Sequence, residues 1–356
     1  MSRQNSNLLP LQLGYRLSAE WEHHEATWLG WPHNKLDWPG KFAPIPWVYA
    51  EIVKRISHGE KVRITIESKE HEKQALTVLK SANADLARVE FFILRTDRGW
   101  TRDSGPMFIR NQEGVAQVNF KFNGWAKYSD YKKDRKFPEF ISKKFDLRYF
   151  VAKHNGTHVV LEGGAVDTNG VGTLIATEEC LLDDKTQTRN LGFTKKDYEE
   201  IFKNYLGITN VRWLGKGIAG DDTHGHVDDL CRFIGPKTLL LVHEENPVDD
   251  NYNALQENRE RLLDFRLEDG SKPEIAFLPM PEPVIFKNQR LPASYANFYI
   301  SNSAVLVPTF DDPNDGIALG IISELVKDRS VIGIHARDLV WGLGTLHCLT
   351  HEQPLR

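Results

Sequence analysis

Cysteine is scarce: Cys180, Cys231 and Cys348 are the only three in 356 residues, and no two are close enough in sequence to make a CxxC pair. That excludes a disulfide scaffold and a cysteine-rich metal site, so each thiol is judged by its neighbours. Long apolar runs are missing too. Nothing approaches the roughly 18 residues that would span a bilayer, and the polar stretch from Met1 to Arg16 lacks the compact apolar segment of an export signal. Neither sign of charge dominates, since 45 Lys and Arg against 49 Asp and Glu leave a net charge of -4. Such a surface exerts no long-range pull on phosphate backbones or anionic lipid. The one basic stretch (Lys132, Lys133, Arg135, Lys143, Lys144) is interleaved with Asp130, Asp134 and Glu139 and reads as a solvated face. Gly- or Ser-rich linkers and low-complexity tracts are absent as well. The expectation is a cytoplasmic protein of one domain, residues 1–356, with 1–19 as a poorly ordered arm, that binds neither nucleic acid nor membrane. Homo-oligomerisation is left open.

What is present is a composition of 40% hydrophobic and 26% charged residues, enough for a large core, and a weak internal repeat. Five helix-like stretches recur, Pro46 to His58, Pro138 to Phe145, Thr194 to Leu206, Tyr252 to Phe265 and Gly316 to Lys327, with a sixth at Glu70 to Ala82. Each of the five is followed by a β-rich stretch and then by a short segment dense in polar residues: WTRDSGPMF, LEGGAVD, GHVDDLCRF, LPASYANFYI and GTLHCLT. The first four of these segments run into a turn signal and a second apolar strand, as hairpins do. One such unit cannot cover its own apolar faces, so several must close around a shared axis. An α/β ring of about five modules fits the length.

In a ring the polar segments meet at the axis, which brings together Asp103, Glu162, His226, Asp228 and Cys348. Each has a bland reading on its own: Asp103 an ion pair with Arg102, Glu162 a turn cap, His226 with Asp228 a satisfied pair on one face of a strand, Cys348 a small buried apolar side chain. Their shared place in the repeat favours chemistry. A second reading takes Asp222, His224, His226 and Asp228 as a Zn²⁺ or Mn²⁺ site, and a third takes the ring as a binding protein without chemistry.

The segments EWEHHEATWLGWPHN, WTRDSGP, LEGGAVD, GHVDD, RLPASYANFYI, DDPND and HCLT resemble the agmatine deiminases, a branch of the guanidine-modifying enzymes that include the peptidylarginine deiminases. The resemblance runs from about Glu20 to Pro354. It departs from the family in GLGTLHC, with Thr345 where relatives often carry Asn, and in LTHEQ after the cysteine. It implies a fivefold pseudosymmetric α/β propeller of ββαβ modules around a central active site, working without metal or cofactor. It also implies hydrolysis of agmatine to N-carbamoylputrescine and ammonia, a step of polyamine and putrescine biosynthesis, with peptidylarginine as the alternative substrate. In that scheme Cys348 is the nucleophile, His226 the proton carrier, Glu162 its orienting partner, and Asp103 with Asp228 the carboxylates that hold the guanidinium flat. Trp31, Trp100, Asp221 and Asp222 are expected at the far, ammonium end, with no Arg to bind a carboxylate.

Overall fold

A computed structural model describes residues 8–356. After a 3-10 turn at Pro10–Leu13 come β1 (Arg16–Leu17), β2 (His24–Gly30), α1 (Ile45–Ile56), β3 (Lys61–Ile66), α2 (Lys69–Ser81) and β4 (Val89–Ile93). Then follow α3 (Thr101–Ser104), β5 (Met107–Asn111), β6 (Gly114–Asn119), α4 (Phe137–Phe145), β7 (Arg148–Val151) and a small hairpin, β8 (Lys153–His154) with β9 (Thr157–His158). The middle of the chain supplies β10 (Val166–Thr168), β11 (Thr173–Thr177), α5 (Glu178–Leu182), α6 (Lys195–Leu206), β12 (Asn210–Leu214), β13 (Cys231–Gly235), β14 (Thr238–His243), α7 (Tyr252–Leu262) and β15 (Glu274–Pro279). The last part holds a second small hairpin, β16 (Ile285–Phe286) with β17 (Gln289–Arg290), and then β18 (Tyr299–Ile300), β19 (Ala304–Thr309), α8 (Asn314–Leu325), β20 (Ser330–His335), α9 (Leu346–Leu349) and β21 (Thr350–Pro354).

These strands form a mixed α/β fold whose sheets repeat one connection. An antiparallel hairpin is followed by a helical crossover to a parallel third strand: β5–β6–α4–β7, β10–β11–α6–β12, β13–β14–α7–β15 and β18–β19–α8–β20. In the fifth sheet the two ends of the chain share the work: β21 lies antiparallel to β2, which pairs in parallel with β3 across α1, and β4 is added beyond it. β1 extends the first sheet by pairing with β5, so the part of the expected arm beyond Leu8 is built into the fold, and residues 1–7 lie outside the described residues. Among the described residues no helix is long and apolar enough to cross a membrane.

The local signals account for these elements. The six expected helices appear within three residues of their anticipated ends. α6 starts on a capping box in which Thr194 and Asp197 exchange hydrogen bonds, and stops at Gly207, whose φ of 72° suits glycine. The hairpin turns fall where NQEG, DTNG, IGPK and SNS predict them. The polar segments were harder to place. Asp103 sits in α3, Glu162 precedes a 3-10 turn at Gly163–Ala165, Asp228 lies in another at Val227–Asp229, and Cys348 lies in α9. The expected strand holding His226 and Asp228 on one face is therefore corrected to a single helical turn that precedes β13; likewise Cys348 is presented by a helical turn, not by a strand. α3 packs on α9 and on the Gly163–Ala165 turn, which packs on Val227–Asp229, and this contact chain is what gathers the polar residues.

The fifth sheet is anchored by Trp28, fully buried against the rings of Phe92, Phe137 and Phe145, with its indole N–H donating to Gln353 of β21 at 2.9 Å. Trp28→Ala would leave a large cavity where the two chain ends meet. It is expected to cost roughly 3–5 kcal/mol of stability in urea unfolding, with a loss below about 1 kcal/mol contradicting this role.

Candidate active site

Cys348 lies at the floor of a cleft of about 490 Å³, a size suited to a small molecule. The walls are Trp100, Trp125 and Tyr128, and Asp103 lies beside the thiol, with Asp37, Arg98, Asp222 and Thr223 also lining the cleft. Gly344 keeps the floor open: a Cβ there would come within 3.0 Å of Trp100 and 3.2 Å of Cys348 Sγ. The thiol itself is 6% exposed. Its Sγ accepts a hydrogen bond from Asn297 Nδ2 at 3.2 Å and stands 3.6 Å from Asp228 Oδ2. Asn297 Oδ1 accepts from Thr345 Oγ1 at 2.7 Å and from the His347 backbone N–H at 3.1 Å, so one side chain fixes the loop before the cysteine. Thr345, the departure noted above, is thus a working part of that loop.

His226 packs between two carboxylates, its Nδ1 3.9 Å from both Asp103 Oδ1 and Asp228 Oδ1. Neither ring nitrogen has a hydrogen-bond partner, and Asp228 Oδ1 has none either. Gly164 lets the three crowd together: a Cβ there would sit 2.6 Å from His226 Nδ1, 3.0 Å from Asp103 Oδ1 and 3.0 Å from Asp228 Oδ2. Asp103 is oriented by Trp125 Nε1, which donates to Oδ2 at 2.8 Å, and by the Gly164 N–H, which donates to Oδ1 at 2.9 Å. Glu162 is fully buried and accepts from Arg189 Nε at 3.0 Å, while its second oxygen is unpaired; its carboxylate lies close to His226 and Cys180.

Buried acids and a buried thiol shift one another. Burial pushes the Cys348 thiol well above its ordinary range, and Asp228, Asp229 and Asp103 push it further, against a small opposing effect of the Asn297 hydrogen bond. The free site therefore holds a neutral thiol. For His226 burial opposes the cation, but Asp103, Cys180 and Asp228 outweigh it and raise the imidazole well above its usual value, so the ring rests protonated. Asp103 and Asp229 are both raised, chiefly by burial. A set of buried carboxyl groups beside the thiol suits a flat cation that hydrogen bonds on several edges.

All five expected residues of the centre, Asp103, Glu162, His226, Asp228 and Cys348, come together. At the far end Trp100 and Asp222 line the cleft, Asp222 held by Lys127 and by Tyr128 Oη at 2.7 Å. Two expectations are corrected. Trp31 is buried in the core edge-on to Tyr49, because the strand end that carries it turns inward. Asp221 is used up by its own loop, accepting from the backbone N–H groups of Thr223, Gly225 and His226. The metal reading also fails to assemble: His224 turns to Asp183 at 2.6 Å and Asp222 to Lys127. An Arg does line the cleft, contrary to expectation, but Arg98 is engaged by Asp37 at 2.8 Å and by Asp130 at 3.1 Å. Asn297, Asp37, Trp125 and Tyr128 were missed. Asn297 could have been found, since its segment occupies the fourth equivalent place in the repeat.

The close packing of the three side chains on Gly164 is the sharpest test of this geometry. Gly164→Ala is expected to lower turnover at least about 100-fold, as roughly 1 Å displacements at a reacting centre do, with the melting temperature changed by only a few degrees. Near-normal turnover would mean that the reacting group does not lie among His226, Asp103 and Asp228.

The family model of the Porphyromonas-type peptidyl-arginine deiminases matches residues 16–354. An agmatine deiminase of Pseudomonas aeruginosa is 30% identical over 98% of both chains. Among solved structures, an agmatine deiminase of Enterococcus faecalis superposes with a TM-score of 0.90 at 26% identity over the whole of both chains. A substrate-bound cysteine-to-serine variant of the agmatine deiminase of C. jejuni superposes with a TM-score of 0.84 at 29% identity, covering 96% of this chain and 97% of that one.

Proposed function

The chain belongs to the Porphyromonas-type peptidyl-arginine deiminase family, and we propose that it acts there as an agmatine deiminase, hydrolysing agmatine to N-carbamoylputrescine and ammonia through a covalent intermediate on Cys348. The observation that carries this is the Cys348 thiol held 3.6 Å from Asp228 in a pocket of buried carboxyl groups. Such a pocket awaits a cation, and a guanidinium supplies it. At roughly 4 Å and an effective dielectric constant of about 20, the cation stabilises a neighbouring thiolate by about 4 kcal/mol, or about three pKa units. Substrate thereby activates its own nucleophile.

Asp103 and Asp228 hold the guanidinium edges, and Sγ attacks the central carbon to give a tetrahedral adduct. The His226 imidazolium protonates the departing nitrogen, which leaves as ammonia. The neutral imidazole then takes a proton from the water that attacks the thiouronium-like intermediate, and collapse releases the ureido product and the thiolate, the hydroxyl proton of the adduct passing to solvent. Glu162, neutralised on one side by Arg189, keeps negative charge near His226. The aliphatic chain of agmatine lies along Trp100, Trp125 and Tyr128, and its ammonium meets Asp37 and Asp222. The five sheets with one shared connection support a fivefold propeller of ββαβ modules in a single domain, with the site on its axis. Three unpaired cysteines support residence in a reducing cytoplasm.

Specificity follows from the far end. Arg98 and Lys127 already serve carboxylates there, so the extra carboxylate of arginine finds no free partner beside Asp37 and Asp222. Burying it unpaired is expected to cost on the order of 3 to 5 kcal/mol. Ammonia release should therefore show kcat/KM at least about 100-fold higher for agmatine than for arginine or an arginyl peptide, and Cys348→Ser should abolish it. Comparable values for arginine or the peptide would move the assignment to a peptidylarginine or arginine deiminase.

Asp37 adds a pH dependence. Burial, partly offset by Arg98, raises its carboxyl to about 7. The charged form that attracts ammonium is present above that pH and is lost below it, so KM for agmatine is expected to rise as pH falls through about 7. Asp37→Asn should raise KM at pH 8 and flatten the profile; an unchanged profile would remove Asp37 from the ammonium site.

A further inference from the structure

His347 stands next to the nucleophile in sequence but does not line its cleft. It lines a second cavity of about 540 Å³, with Glu20, Arg102, Asp167, His351 and Glu352, and the two cavities share no lining residue. Its imidazole links that cavity to the carboxylate beside the nucleophile. Nδ1 lies 2.6 Å from Asp228 Oδ2, and Nε2 lies 2.8 Å from Glu20 Oε2. The same Asp228 oxygen is the one 3.6 Å from Cys348 Sγ. An unbroken line of exchangeable groups thus runs Cys348, Asp228, His347, Glu20.

The thiol proton has to leave before attack, and the obvious acceptor is not available. His226 rests protonated between Asp103 and Asp228, so it can give a proton to the leaving nitrogen but cannot first take one from sulfur. His347 is placed to do so. A neutral imidazole has one N–H for its two carboxylate neighbours, whereas an imidazolium has one for each. The charged groups facing it are Asp228 from the Val227–Asp229 turn, Glu20 from the loop before β2, and Arg102 of α3, whose Nε donates to the His347 carbonyl at 3.3 Å. Arg232 of β13 pairs with Glu20 at 3.0 Å, and Glu352 of β21 pairs with Arg102 at 2.8 Å.

We propose that His347 is a positioning residue that also stores the Cys348 proton, received through Asp228, while a cation occupies the cleft. The S–H bond breaks with its electron pair left on sulfur, and the proton passes to Asp228 Oδ2. Asp228 hands a proton to His347 Nδ1, whose lone pair forms the new N–H. Nε2–H stays donated to Glu20, and the net change is thiol plus imidazole to thiolate plus imidazolium. Asp228 Oδ1 remains free for the guanidinium. Burial, reinforced by Arg102 and Arg232, lowers the His347 pKa well below its usual value, so the free enzyme keeps the proton on sulfur and the store empties once the cation leaves. The incoming cation shifts the balance toward thiolate because it lies against the sulfur, and the carboxylates on both nitrogens of His347 favour the imidazolium that receives the proton. This scheme rests on the reading of Cys348 as the nucleophile.

The test needs no turnover. Wild-type protein carrying ¹⁵N-labelled histidine is titrated with guanidinium chloride at neutral pH, following the ultraviolet absorbance of thiolate together with the imidazole nitrogen shifts. The expected result is thiolate appearing in step with one histidine, missing from the His347→Gln spectrum, passing from neutral to imidazolium. His347→Gln should show a thiolate midpoint at least about one pH unit higher in the presence of guanidinium. Glu20→Gln, which keeps the side-chain shape but removes the carboxylate facing Nε2, should move the midpoint the same way and serves if the His347→Gln protein does not fold. Thiolate formation with the His347 ring still neutral, an unmoved midpoint in both variants, or no thiolate with guanidinium bound would each overturn the proposal. Loss of agmatine hydrolysis with the transfer intact would instead count against the substrate assignment alone.

Discussion

Carboxyl groups and a thiol cannot be buried together in water-free surroundings without something to balance them, and this constraint organises the site. Asp103, Glu162, Asp228, Asp229 and Cys348 share one buried region, where an isolated anion is severely disfavoured. The chain supplies some compensation from behind: Arg189 on Glu162, and Arg102 with Arg232 on Glu20. It leaves the front unmet, with Asp228 Oδ1 and both His226 nitrogens unpaired where they pack on Gly164. The deficit in front is what makes the pocket selective for a cation.

The same deficit sets the order of events. With no cation present the thiol is held neutral by its acidic neighbours, and reactivity is withheld from bystanders. When a guanidinium enters, attraction that was absent in the free site appears at the reacting carbon and at the sulfur together. In the scheme proposed above the two imidazoles divide the proton traffic. His226, between Asp103 and Asp228, begins charged and gives; His347, between Asp228 and Glu20, begins neutral and receives. Asp228 faces both, which explains why its two oxygens are placed so differently.

Much of this was legible in the sequence because regular elements announce themselves. The helices followed from five recurring helix-like stretches and a sixth, and the hairpins from the turn signals NQEG, DTNG, IGPK and SNS. The convergence of Asp103, Glu162, His226, Asp228 and Cys348 followed from their equivalent places in a repeat. What escaped was the irregular backbone between elements. A single turn such as Val227–Asp229 carries too few residues for any periodicity, so a strand was the natural reading for His226 and Asp228. Trp31 looked like a pocket wall only because it is aromatic and near such residues, and the direction in which a strand end turns is a tertiary matter. Glu20, Asp37 and Asn297 come from loops whose partners lie 327, 61 and 51 residues away, and only folding brings them together.

The central claim is covalent catalysis by Cys348 on a guanidinium held by buried carboxylates. Rapid acid quenching of the wild-type enzyme during agmatine turnover, followed by mass spectrometry of its peptides, reads that claim directly. The account predicts a substrate-derived adduct on the peptide containing Cys348, accumulating further in a His226→Asn variant where hydrolysis of the intermediate is slowed. An unmodified Cys348 peptide in enzyme that is turning over, with or without an adduct elsewhere in the chain, would contradict it.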